Sequence, residues 1–275
     1  MAQAKKAAGT GKPVAPKKTM PATEKNVVAG ESGGGAARVV LGLVLAYVAA
    51  VLLADTLAAM GLRKPLDFSM FRWRPGTLYA LASDAGVPNS LIAWMNSRLL
   101  QQFDLFKCVF WFALPLLFSL RKMDWGALGV KRWTRTDLYL MGGLAVAGFA
   151  AILLIPVVPA LRHTYHGMGS LAASQKALYF FLQITWIASW LPGWEFIHRY
   201  FLLRRAQAVW PRFGWLLVPF SEGVYHLQKP GLEALGMVAL SVVLTQWAMR
   251  RRNVLLPFLV HLIIEIELVA FLLFL

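Results

Sequence analysis

Seven stretches of the chain are almost continuously apolar: approximately 38–61, 104–120, 137–161, 176–205, 213–227, 231–249 and 253–275. A helix needs about 20 such residues to cross the hydrocarbon core of a bilayer. The second and fifth stretches are short, and are expected to be tilted, re-entrant or partly covered by protein. The pattern predicts an all-α polytopic bundle of about seven to eight membrane helices. Residues 62–103 are mixed: Trp73, Tyr79 and Trp94 suit interfacial amphipathic helices, with Arg63, Lys64, Arg72 and Arg74 at the headgroups. Residues 1–37, rich in Ala, Lys, Gly and Pro, carry almost no large apolar side chains and read as a disordered basic tail. The tail is too long and polar to open a standard signal peptide, and no convincing cleavage site follows the first apolar run.

Composition agrees. Hydrophobic residues are 58% of the chain and charged ones only 15%, against about a quarter charged in a soluble domain; mean hydropathy is +0.57. The net charge of +15 raises the question of nucleic acid, but the basic residues cluster between apolar segments, as on an anionic leaflet. No nucleic-acid partner is expected; the bilayer is the expected partner. With the tail in the cytoplasm, seven spans place Arg121, Lys122, Lys131, Arg132, Arg135, Arg204, Arg205, Arg212 and Arg250–Arg252 inside. Only 62–103 breaks that pattern. The single cysteine, Cys108, excludes an intrachain disulfide and reads as a small buried hydrophobe.

Ionisable groups inside a membrane helix cost several kcal/mol unless paired or hydrated. The first three spans hold few, chiefly Asp55, whereas the last 80 or so residues hold Glu195, His198, Arg199, Glu222, His226, His261, Glu265 and Glu267. Three pairs stand four residues apart, each on one helical face: Glu195 with Arg199, Glu222 with His226, and His261 with Glu265. Pro192 and Gly193 just before the first pair are expected to break a helix and start another. Glu195 reads equally as a neutralised partner of Arg199 and as a general base that Arg199 orients. His226 reads as an imidazole oriented by Glu222, and His261 with Glu265 as a polar stripe or a pair joining helices. At about 1.5 Å per residue, Glu195 and His261 each lie roughly 12 Å from the cytoplasmic surface. His226 comes out near roughly 20 Å if its helix starts at 213.

Together the three stretches resemble the CPBP family, the CAAX-protease and bacteriocin-processing membrane proteins that include the Rce1-like prenyl endopeptidases. The family motif E-E-x-x-x-R is similar to Trp194-Glu195-Phe-Ile-His-Arg199, F-x-x-x-H to Glu222-Gly-Val-Tyr-His226, and H-x-x-x-N to His261-Leu-Ile-Ile-Glu265. A bacterial branch with W-E-F-x-x-R-G followed by H-x-x-K-P-x-x-E-A looks closer still, its second motif similar to His226-Leu-Gln-Lys229-Pro230-Gly-Leu-Glu233-Ala234. The resemblance covers about 176–270, within a catalytic core of 162–275 that follows membrane and interfacial helices at 38–161. It departs at Trp194, where the family has its first Glu, at Glu222 for Phe, at Tyr200 for a small residue and at Glu265 for Asn; His198 reads as a local polar residue.

The resemblance implies an intramembrane endopeptidase of a membrane-anchored protein or peptide. Glu195 with His226 would activate water, His261 would stabilise the oxyanion and Glu265 would orient it; Arg199 and Glu222 would support them. No cofactor is expected; zinc on His226, His261 and a carboxylate is the chemical alternative, although no H-E-x-x-H motif is present. A catalytically silent partner or immunity protein of the same fold, and a proton or ion transporter, are the readings from other classes. The bacterial resemblance and the basic loops imply a bacterial plasma membrane, with the N-terminus cytoplasmic.

Overall fold

A computed structural model describes residues 32–59, 104–129 and 133–275. The tail up to residue 31, the interfacial segment at 62–103 and the basic pair Lys131 and Arg132 lie outside the described residues. Within them every regular element is helical.

Helix α1 spans Ser32–Ala59. It starts six residues before the expected 38, because each residue added to an existing helix gains a hydrogen bond without a new nucleation cost. Its Leu41, Val44, Val48, Val51 and Leu52 are buried, while Val39, Val40, Leu43 and Leu53 are exposed. A helix apolar on its buried and exposed faces alike suits a bundle surrounded by lipid.

Helix α2 is one rod with a changed pitch: α-helix Leu105–Lys107, π-helix Cys108–Ala113 and α-helix Leu114–Ser119. Trp111 takes its buried face. Cys108 is therefore half-buried rather than buried, which corrects the sequence reading.

Helix α3, Arg135–Ile152, opens on a capping box between Thr134 and Asp137. It ends at Ile152 rather than continuing to 161. Pro156 cannot donate a backbone hydrogen bond, and its ring would collide with the carbonyl of Ile152 four residues back. A turn follows, then the short α4, Pro159–Thr164.

Helix α5 carries the first motif. It runs as α-helix Ala173–Phe196, π-helix Ile197–Leu202 and α-helix Leu203–Val209. The break expected at Pro192 and Gly193 is absent: the helix passes through Pro192, although the proline forfeits its amide bond and crowds the carbonyl four residues back. Gly193 instead allows close packing. A Cβ there would stand 2.9 Å from Trp111 Cβ and 3.2 Å from the Phe112 backbone nitrogen.

A 3-10 turn at Gly214–Leu216 leads into α6, Leu217–His226. Gly214 lies so close to α5 that a Cβ would collide with the Ala206 carbonyl. Helix α7, Gly231–Arg251, ends at Arg252 in the left-handed region (φ 47°), and α8 spans Leu255–Phe274. Helix α8 packs on both α3 and α5, α6 pairs with α7, and α1 and α2 pack along α5. Among the described residues three helical segments, Gly34–Leu57, Gly231–Arg251 and Leu255–Phe274, are long and apolar enough to cross a membrane. The protein is an all-α helical membrane protein, and α1, α2, α6 and α8 all pack on α5.

Candidate active site

The π-helical stretch of α5 buries all six of its residues. A π turn widens the helix and shifts the side chains that follow, and such turns recur at functional sites. Here it directs Arg199 inward. The Arg199 guanidinium contacts Glu195 Oε2 at 2.6 Å and reaches Glu222 of α6 at 3.0 Å (to Oε1) and 3.2 Å (to Oε2). Arginine does not deprotonate in proteins and presents a planar fork of donors. Two carboxylates on one guanidinium therefore compensate a cation that is almost completely buried. From sequence Arg199 has one partner, four residues away; the second comes from α6, 23 residues on.

Glu195 also joins α5 to α8. His261 Nδ1 donates to Glu195 Oε1 at 2.9 Å, across 66 residues of sequence. The other ring nitrogen, Nε2, lies 3.7 Å from Glu265 Oε1, beyond hydrogen-bond length. The His261 and Trp190 rings meet in a T-shaped arrangement, with centroids 5.8 Å apart. Both Glu195 oxygens thus have partners, and the carboxylate is 1% exposed.

His226 ends α6. Its Nδ1 donates to the carbonyl oxygen of Glu222 at 2.8 Å. With that nitrogen carrying the proton, the neutral ring presents an acceptor lone pair at Nε2. Its face is set by neighbours: Trp194 at 5.6 Å and Tyr225 at 5.4 Å between centroids, both nearly perpendicular. Because α6 begins at Leu217 rather than 213, His226 lies about 6 Å nearer the start of its helix than the sequence count placed it.

The structure thus brings Glu195, Arg199, Glu222, His261 and Glu265 into one chain of contacts. His226 joins through the Glu222 backbone and the Trp194 ring. His198, read from sequence as a local polar residue, donates from Nδ1 to the Trp194 carbonyl at 3.0 Å, and its Nε2 lies 3.3 Å from Ser221 Oγ. Trp194 is buried among Trp111, His198, Tyr225 and His226, and its indole N–H has no hydrogen-bond partner among the described residues. The sequence reading missed the cluster around Asp55. Tyr225 donates to Asp55 Oδ2 at 2.6 Å, and Lys107 lies 3.5 Å from Asp55 and 3.4 Å from Asp104. Asp55 as the one acid of its span was the available signal; its partner, 170 residues away, was not.

Among the described residues no three His, Cys, Asp or Glu side chains converge as ligands would. His261 Nδ1 faces a carboxylate that is itself bonded to Arg199, and a guanidinium beside a ligating carboxylate would compete with the metal for it.

Residues 187–266 match the family model described as Rce1-like, type II CAAX prenyl endopeptidase. No curated protein and no solved structure matches the chain. The matched segment begins within α5, ends within α8 and contains all three motifs, so over residues 187–266 this chain is similar to the Rce1-like CAAX prenyl endopeptidases.

Proposed function

We propose that the chain is an intramembrane endopeptidase that hydrolyses a peptide bond in a membrane-associated protein or peptide. The observation that carries this reading is the 2.9 Å contact between His261 Nδ1 and Glu195 Oε1, which joins the first and third motifs inside the segment that matches the family. A hydrolase needs a proton acceptor for water and a donor for the developing oxyanion. His226 supplies the acceptor at Nε2, since Nδ1 is committed to the Glu222 carbonyl. Glu195 is held by Arg199 and in turn holds His261. His261, protonated at both ring nitrogens between the Glu195 and Glu265 carboxylates, supplies the donor at Nε2. The role of Glu195 is then to orient His261 rather than to bind the water itself.

In the reaction the water oxygen bonds to the peptide carbonyl carbon as its proton passes to His226. The carbon–nitrogen bond then breaks, and His226 returns that proton to the leaving amine. Burial of the ion pairs strengthens them relative to water and limits access to a defined opening.

The matched description makes a prenylated CAAX tail the first substrate to try. The proposed orientation keeps the N-terminus cytoplasmic and the arginine clusters inside a bacterial plasma membrane. Trp194 favours the second reading, a silent member of the fold. Reconstitution in liposomes separates the two. Cleavage of a quenched-fluorescent farnesylated CAAX peptide, or of a reporter with one C-terminal membrane anchor, supports the protease. Failure on both supports the silent protein, and proton flux without cleavage supports a transporter.

A further inference from the structure

Outside the matched segment, α1 and α2 bring a second set of partly buried charged groups to the flank of α6. Asp55 of α1 accepts from the Tyr225 hydroxyl at 2.6 Å. Lys107 of α2 lies within ion-pair distance of Asp55 and Asp104, its ammonium 4.9 Å from the Trp111 ring centre and 5.8 Å from that of Trp186. The Asp104 backbone N–H donates to Ser189 Oγ of α5 at 2.8 Å. Four helices are thereby tied together.

Polar contacts between membrane helices can act as adhesion alone. The far end of Tyr225 argues for more. Its ring meets Trp194 at 5.0 Å, Trp111 at 5.8 Å and His226 at 5.4 Å between centroids. Trp194 in turn meets His226. The ring of His226 has one hydrogen bond among the described residues, to a carbonyl of its own helix. That bond fixes the tautomer. The direction in which Nε2 points depends on the two aromatic rings, and one of those is fixed at its hydroxyl by Asp55.

We propose that Asp55 and Tyr225 are a positioning pair that sets the orientation of His226 for the reaction, with Lys107 holding Asp55 in place. The proposal rests on the reading of His226 as the proton acceptor. It also gives Trp194 a role: where the family has a carboxylate, this chain has an aromatic wall that holds the imidazole, anchored from a helix outside the matched segment.

The test is a double-mutant cycle on the full chain in liposomes, with the farnesylated peptide or the anchored reporter as probe, whichever the parent cleaves. Tyr225→Phe removes only the hydroxyl and keeps the ring. It lowers kcat about tenfold with KM unchanged, as expected for a displaced catalytic group. Asp55→Ala has the same effect, the double variant is no worse than either single one, and Asp55→Asn, which still accepts a hydrogen bond, restores most of the rate. A purely adhesive role would lower thermal stability in all four and leave kcat of the folded protein unchanged. Tyr225→Phe with kcat within about twofold of the parent, or additive losses in the double variant, overturns the proposal. If the parent cleaves neither probe, the protease reading fails. The pair is then judged by the Trp194 emission, taken as the difference between each protein and its Trp194→Phe counterpart. A shift in Tyr225→Phe sustains the positioning of the wall, and an unchanged spectrum overturns it.

Discussion

Arg199 of α5 and Glu222 of α6 approach to 3.0 Å in the interior of the bundle. Glu222 shares the same guanidinium with Glu195, so a buried cation stands between two carboxylates. This contact holds the first two motifs at a fixed spacing.

Replacing Arg199 by Met should unfold the protein more readily than any other single change at the site. Removing one partner of a buried pair costs about 3–5 kcal/mol, and here two carboxylates lose their counter-charge together. Arg199→Lys should recover only part of that, because an ammonium cannot span both carboxylates as the guanidinium fork does. Thermal unfolding in detergent checks the order: parent, then Lys, then Met. Equal midpoints for Met and the parent would mean that the contact does not matter for stability.

Gly193→Ala should loosen α2 from α5. The added methyl would meet Trp111 Cβ and the Phe112 backbone nitrogen. Backbone cannot swing aside as a side-chain end can, so the helices must separate by a few tenths of an ångström. Overpacking of this kind costs about 1–3 kcal/mol. A lower unfolding midpoint, with altered fluorescence from Trp111, is the expected outcome.

Much of this arrangement is legible in the sequence, and the limit has a physical basis. The pairs Glu195–Arg199 and His261–Glu265 are four residues apart, and helical periodicity puts them on one face. The burial of charge in apolar runs marks them as functional candidates. Contacts between helices carry no such signature. Nothing in the spacing joins Glu195 to His261, Arg199 to Glu222, or Asp55 to Tyr225. Pro192 misleads in the other direction. Proline and glycine side by side read as a break, yet close packing against Trp111 keeps the helix whole despite the lost hydrogen bond and the crowded carbonyl. The irregularity lies five residues later, in the π turn at Ile197–Leu202, where no proline or glycine announces it.

A chelator should leave the activity untouched. No three candidate ligands converge among the described residues, and the Glu195 carboxylate is engaged by Arg199 and His261. Cleavage by the reconstituted protein should proceed at the same rate before and after exhaustive treatment with EDTA and phenanthroline. A loss of rate that added Zn²⁺ restores would identify a metal enzyme.

The most direct test of the central claim is the cleavage rate of Glu195→Gln against the parent, in liposomes, on whichever probe the parent cleaves. Gln keeps the shape of the side chain and leaves Arg199 its contact with Glu222. It removes the charge that holds His261. The Glu195→Gln protein should unfold cooperatively, bind the probe with similar KM and have kcat lower by about 10²-fold, with His226→Ala and His261→Ala at least as impaired. A folded Glu195→Gln protein that cleaves at the parent rate would contradict the claim.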